Sequence, residues 1–128
     1  MNKDLQRYII TIDHLPSPEL NPNNLRRTHW TVRSKETKAA KDEIGWLIKT
    51  NGGAGKTIQR ARISYEFHLK DRRRKDLDNL LSSAKAWQDS LVEAGVMAGD
   101  DFEHLEIGSF KALVTGHAET IITVEELD

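Results

Sequence analysis

Between Ala61 and Leu69 the chain alternates without a break. Ala61, Ile63, Tyr65, Phe67 and Leu69 fall on one side, and Arg62, Ser64, Glu66 and His68 on the other. Successive side chains of an extended chain project to opposite faces, so this stretch is a half-buried strand and commits the chain to a sheet with one apolar face. That face needs a cover, and two stretches of helical period can supply it. From about Thr31 to Lys49, Val32, Ala40, Ile44, Leu47 and Ile48 recur among charged residues. After the polar run DRRRKDLDN, Leu80, Ala84, Trp87, Leu91 and Ala94 do the same. Asn51-Gly52-Gly53 closes the first helix, and Gly95 stands where a helix C′ glycine belongs.

Tyr8 to Ile12 is a short β-branched run that ends at LPSPELNPNN, where Pro16, Pro18 and Pro22 forbid a helix. The tail predicts two strands, about His104 to Val114 and Glu119 to Glu125, joined as a hairpin at Thr115-Gly116-His117, with Gly108 marking a bulge. The expected order is β-α-β-α-β-β: an α/β (α+β) fold in which two main helices cover a mixed sheet. The 128 residues suit one domain spanning 1–128. The absence of cysteine removes disulfides, thiol nucleophiles and Cys-ligated zinc together. The opening MNKDLQRYIITIDHLPSP is too interrupted for a signal peptide's apolar core, so a cytoplasmic location without membrane contact is expected.

The formal net charge of −1 conceals a segregation. Residues 23–75 carry fifteen Lys or Arg against five Asp or Glu, whereas residues 76–128 carry two against twelve. One half can neutralise phosphates while the other concentrates carboxylates, although a solvated surface divided by chance has the same signature.

Several familiar motifs fail. GGAGKT at 52–57 has Thr50 where a phosphate loop needs its first glycine, and it leaves a helix rather than a strand, so it reads as a turn. A calcium loop opening at Asp76 would need glycine at Leu81 and glutamate at Trp87. His14, His29, His68, His104 and His117 lack zinc-site spacing and are assigned to solvent or to strand ends. Trp30, Trp46 and Trp87 are assigned to packing rather than to base stacking.

What remains is the acidic pair Asp76 and Asp78 behind Arg72, Arg73, Arg74 and Lys75, with a second pair, Asp100 and Asp101, after the second helix. In an extended segment residues i and i+2 share a side, so Asp76 and Asp78 can present oxygens to one point, with Asp101 supplying a third. Such hard oxygen ligands suit Mg²⁺, and the adjacent cations suit a phosphodiester backbone. Asp78 can equally be a helix N-cap, Asp100 and Asp101 an ordinary turn, and the basic run a solvated loop. Lys85 shares a helical face with Asp78, Ser82 and Asp89, and it can either approach a phosphate or pair with Asp89 at i+4.

The segment DRRRKDLDNLLSSAKAWQDSLVEAGVMAGDD resembles the RusA family of Holliday-junction resolvases. It shares the basic run, the Asp-x-Asp-Asn step, the helix ending in Ala-Gly and the double aspartate. LPSPELNPNNLRRTHW is similar to the Pro/Asn-rich opening of phage members. The resemblance implies a RusA-like fold and a homodimeric, Mg²⁺-dependent endonuclease that cuts four-way or branched DNA by paired nicks. It places metal ligands at Asp76, Asp78 and Asp101, with Asp100 as the alternate third. The family lysine stands four residues after the second Asp, where this chain has Ser82; Lys85 matches if three residues are inserted early in the helix. The competing readings are a junction- or DNA-binding protein without nuclease activity and a protein-interaction adaptor.

Overall fold

The computed structural model describes residues 5–20, 30–51, 53, 55–73 and 75–128. Strand β1 (Arg7–Ile12) leads through the proline-bearing segment and a 3-10 turn at Pro18–Leu20 toward helix α1 (Trp30–Thr50). Strand β2 (Ala61–Leu69), helices α2 (Leu77–Ser83) and α3 (Lys85–Glu93), and strands β3 (Leu105–Val114) and β4 (Glu119–Glu126) follow. The order matches the expectation, with one refinement: the second helical stretch is broken at Ala84, whose N–H is shared between Leu80 O (3.0 Å) and Leu81 O (3.1 Å). Among the described residues no helix is long and apolar enough to cross a membrane.

The four strands lie in the order β1-β4-β2-β3. β4 runs antiparallel to both its neighbours, β1 and β2, while β3 runs parallel to β2. This corrects the expected hairpin, because β3 and β4 are not partners. The chain leaving β3 passes over the end of β2, where Thr115 N (3.0 Å) and Gly116 N (3.2 Å) both donate to Leu69 O, and β4 then enters between β1 and β2.

The expected bulge is present. Register passes from Ile63↔Ile107 to Tyr65↔Phe110, so Gly108 and Ser109 together face Ser64. Glycine is required there by crowding, since a Cβ at 108 would run into Ser64 Oγ and lie 3.0 Å from Arg62 Cγ and Cδ.

One face of the sheet carries the core. Ile10, Ile12, Ile63, Tyr65, Phe67, Ile122 and Val124 are buried together with Ala40, Ile44 and Ile48 of α1 and Leu80, Ala84, Trp87 and Leu91 of the second helical stretch. Ala40, Ile44 and Ile48 repeat every four residues, as an inward helical stripe must. Val32, nearer the start of α1, is 41% exposed, so the inward stripe does not extend to it. α3 ends as foreseen: Gly95 has φ +82°, with Gly95 N bonded to Val92 O (3.1 Å) and Val96 N to Leu91 O (3.0 Å). This 6→1 and 5→2 pair satisfies carbonyls that a helix end leaves open.

The opposite face of the sheet carries ion pairs beside exposed apolar residues such as Ile9 and Leu113. His68 stands between Glu66 (2.7 Å) and Glu119 (2.8 Å), Lys111 pairs with Glu66 (3.3 Å), and Arg62 pairs with Glu106 (2.9 Å).

Candidate functional site

β2 delivers the chain at Leu69 into the loop that precedes α2. There Asp71 Oδ1 accepts a hydrogen bond from Arg73 N (3.0 Å), a local turn that holds the basic run outside the fold. Arg72, Arg73 and Lys75 are exposed, Arg73 lies 3.5 Å from Asp71 Oδ2, and Arg74 lies outside the described residues.

The extended geometry expected for Asp76 and Asp78 does not hold. Asp76 is itself the N-cap residue of α2, with φ −88° and ψ 125°, and the helix begins at Leu77. Asp78 is therefore inside the first turn rather than at the cap, where its charge complements the positive end of the helix dipole. Helical rather than extended geometry puts residues two apart on different sides of the axis. Asp76 lines a cleft of about 460 Å³ with Lys75, Asn79, Leu80 and Ser83, walled across by Pro16 and Pro18. Asn79 Nδ2 lies 3.4 Å from Asp76 Oδ2.

Lys85 opens α3 and ties that helix to the second acidic segment. Its Nζ lies 3.2 Å from Asp89 Oδ1, the expected i+4 pair, and 3.1 Å from Asp100 Oδ2 in the loop after the helix. Partial burial lowers the Lys85 pKa, but the hydrogen bonds to Asp100 and Asp89 outweigh it and hold the ammonium above its ordinary value. The same Lys85 bond holds the Asp100 carboxyl below its usual range.

Asp101 has other partners. Its Oδ1 accepts from Glu103 N (3.0 Å) and His104 N (3.2 Å) and lies 2.7 Å from His104 Nδ1. The bond to His104 holds the Asp101 carboxyl below its usual value. Of the two neighbouring carboxylates, Asp100 is the one that reaches the helix, while Asp101 pins its own turn.

The donor chemistry of Asp76, Asp78, Asp100 and Asp101 suits a hard divalent cation. Among the described residues, however, no three carboxylate or histidine side chains stand together as a metal-holding group. The fit is one of ligand type and not of an assembled cage.

The tryptophans divide. Trp87 is 3% exposed and its ring lies 5.5 Å from that of His14, as packing requires. Trp46 is 64% exposed, contrary to its expected place in the core. The side chain of Trp30 is outside the description. Two residues escaped the sequence reading. Phe102 is 87% exposed beside Asp100 and Asp101, and Gln88 holds the hydroxyl of Tyr65 at 2.8 Å. The signal for Phe102 was available, since a lone aromatic within the turn Asp-Asp-Phe-Glu-His has no apolar period to place it inside.

No protein-family model matches the chain. Over 124 residues it is 32% identical to the crossover junction endodeoxyribonuclease RusA of Escherichia coli (strain K12), covering 96% of this chain and 98% of that protein. Identity and coverage are the same for the crossover junction endodeoxyribonuclease rusA of Enterobacteria phage 82 and for RusA of Shigella sonnei (strain Ss046). With relatedness running along nearly the whole length of both partners, this chain belongs to the RusA family of crossover junction endodeoxyribonucleases.

Proposed function

We propose that the protein is a Mg²⁺-dependent, structure-selective endodeoxyribonuclease of the phage type that resolves four-way DNA junctions by paired nicks, leaving 5′-phosphate and 3′-hydroxyl ends. The observation that carries this reading is kinship with RusA enzymes across 96% of the chain. The exposed basic loop leading into an exposed pair of aspartates supports it further.

In this reading Arg72, Arg73, Arg74 and Lys75 grip the DNA backbone on either side of the scissile bond, fixing its position without reading its sequence. Asp76, Asp78 and Asp101, with Asp100 the alternate third ligand, are the residues that would hold Mg²⁺ once drawn together from the separate places they have in the free protein. The cation supplies neutralising charge at the phosphate and a more acidic water. Lys85, tied to Asp100 in the free protein, exchanges that carboxylate for a phosphate oxygen and stabilises the negative charge that grows on it during cleavage. A homodimer suits the reaction, because a four-way junction has near two-fold symmetry and two copies supply two cuts.

The test incubates labelled four-way and linear DNA with the purified protein, in Mg²⁺ or in chelator, beside Asp76→Asn. The junction is expected to be cut only in Mg²⁺, the linear duplex to be spared, and the variant to bind without cutting. A wild-type protein that binds the junction and leaves it intact in Mg²⁺ overturns the proposal in favour of a DNA-binding protein without nuclease activity.

A further inference from the structure

Beside Lys85 and Asp100 runs a groove of about 400 Å³ between the second helical stretch and the start of β3, with Phe102 on its rim, Leu81 and Ile107 in its wall and Gln88 within it. From its construction we infer that this groove is a nucleobase subsite: Phe102 is the stacking platform, and the Gln88 amide is the donor that reads the base. The inference rests on the endonuclease reading and extends it to a base contact beside the cut.

Phe102 is exposed by design of its turn. The segment 101–105 is closed by Asp101 O, which accepts from His104 N (3.1 Å) and Leu105 N (2.9 Å). Asp101 Oδ1 adds two further backbone bonds. The ring is thus 87% exposed on a segment that is held firmly from below. With exposed Ile107 in the same lining, Phe102 forms a contiguous apolar surface that a flat, apolar ligand can cover. Base-on-aromatic stacking supplies such a surface and accepts any base.

Gln88 adds direction. Tyr65 is 1% exposed, and its hydroxyl donates to Gln88 Oε1 at 2.8 Å. A buried hydroxyl needs that acceptor, so the oxygen end of the amide is turned inward and the Nε2 end is the one offered to the groove. The base that fits presents a carbonyl or ring-nitrogen acceptor on the edge turned toward Gln88.

Charge is balanced within the groove. Asp100 and Lys85 are the charged residues of the groove's lining, and they are paired with each other at 3.1 Å. The rest of the lining, Leu81, Ser82, Gln88, Phe102, Leu105 and Ile107, is uncharged and suits an uncharged heterocycle. The flanking backbone is left to the basic loop ahead of α2, and the scissile phosphate to Lys85 at the groove's edge.

The experiment measures binding of the full-length protein, in chelator, to a four-way junction in which single abasic nucleotides are scanned across the branch point. Wild type is expected to lose roughly ten-fold in affinity at one position, the size of a lost base–aromatic stack. Phe102→Ala should bind the intact junction that much more weakly and be indifferent to the same abasic nucleotide, while Phe102→Trp should behave as wild type. Gln88→Glu, which still accepts from Tyr65, should change which base is preferred at that position. If Phe102→Ala remains as sensitive to the abasic nucleotide as wild type, the subsite is wrong while the endonuclease stands. If Phe102→Ala instead lowers the mass of the protein in solution, the groove is covered by a second copy and the subsite is again wrong. A wild-type protein that binds no junction overturns the endonuclease reading and the subsite with it.

Discussion

Lys85 Nζ lies 3.1 Å from Asp100 Oδ2, so the residue that opens α3 is tied to the loop that leads into β3. Both side chains are well exposed, at 61% and 40%. An ion pair this wet contributes little to stability, under ~1 kcal/mol. Its position between a helix and a carboxylate loop matters more than its strength.

Replacing Lys85 with Met therefore separates chemistry from folding. Cleavage of a four-way junction in single-turnover conditions should fall by roughly 10²–10³-fold, the usual effect of removing one transition-state donor. The thermal midpoint and the affinity for uncut junction should stay close to wild type. A variant that cuts at the wild-type rate would leave Lys85 with only its ion pairs.

His68 makes stability depend on pH. Its hydrogen bond with Glu66 raises its pKa, burial opposes this, and Glu119 adds to the rise. The hydrogen bond to His68 in turn lowers the pKa of Glu66. The histidine's contribution is complete below its ordinary value of 6.5 and is lost as pH climbs through the raised folded value. The glutamate's is complete above its ordinary 4.5 and is lost as pH falls through its lowered value. The cluster is thus most stabilising between these two ordinary values. Urea midpoints should decline from mildly acidic to alkaline pH, and His68→Gln should flatten that decline; an unchanged profile in the variant would remove His68 as its source.

Gly108→Ala should destabilise by about 1–3 kcal/mol, the cost of overpacking, because the added methyl meets Ser64 Oγ and the Arg62 stem. Adding Ser64→Gly to the same chain should recover part of the loss. Denaturant melts of the two variants check it, and absence of any recovery would place the strain elsewhere.

Trp46 and Trp87 should be spectroscopically distinct, one being 64% and the other 3% exposed. In a Trp30→Phe background, Trp46→Phe should remove the red-shifted emission with little loss of stability. Trp87→Ala should cost about 3–5 kcal/mol, as buried aromatic truncations do. Equal quenching of both residues by iodide would contradict the assignment.

The sequence made Ala61–Leu69 legible to the residue, because strict alternation admits one geometry, and it located Gly95 because a positive φ at a helix end favours glycine. The partner of β4 was not legible. Two strands separated by a short polar turn look like a hairpin whenever only neighbours in sequence are considered. Which strand shelters Ile122 and Val124 is decided by β1 and β2, far away in the chain. The site was read with a similar blind spot. The residue types in Asp76, Asp78, Asp100 and Asp101 were evident, but a helix starting at Leu77 separates the first two. Hydrogen bonds give the last two different partners, Lys85 for Asp100 and His104 for Asp101, and neither effect has a signature in residue spacing.

The placement of β4 between β1 and β2 has a consequence for how the protein is made. β1 emerges from the ribosome well before β4, its neighbour in the sheet among the described residues. The unit β2–α2–α3–β3 can assemble while translation continues, whereas β1 must wait with an unpaired edge until β4 has been made. Closure of the sheet is then a single late insertion, and nascent chains stalled before Glu119 should be the ones that chaperones retain.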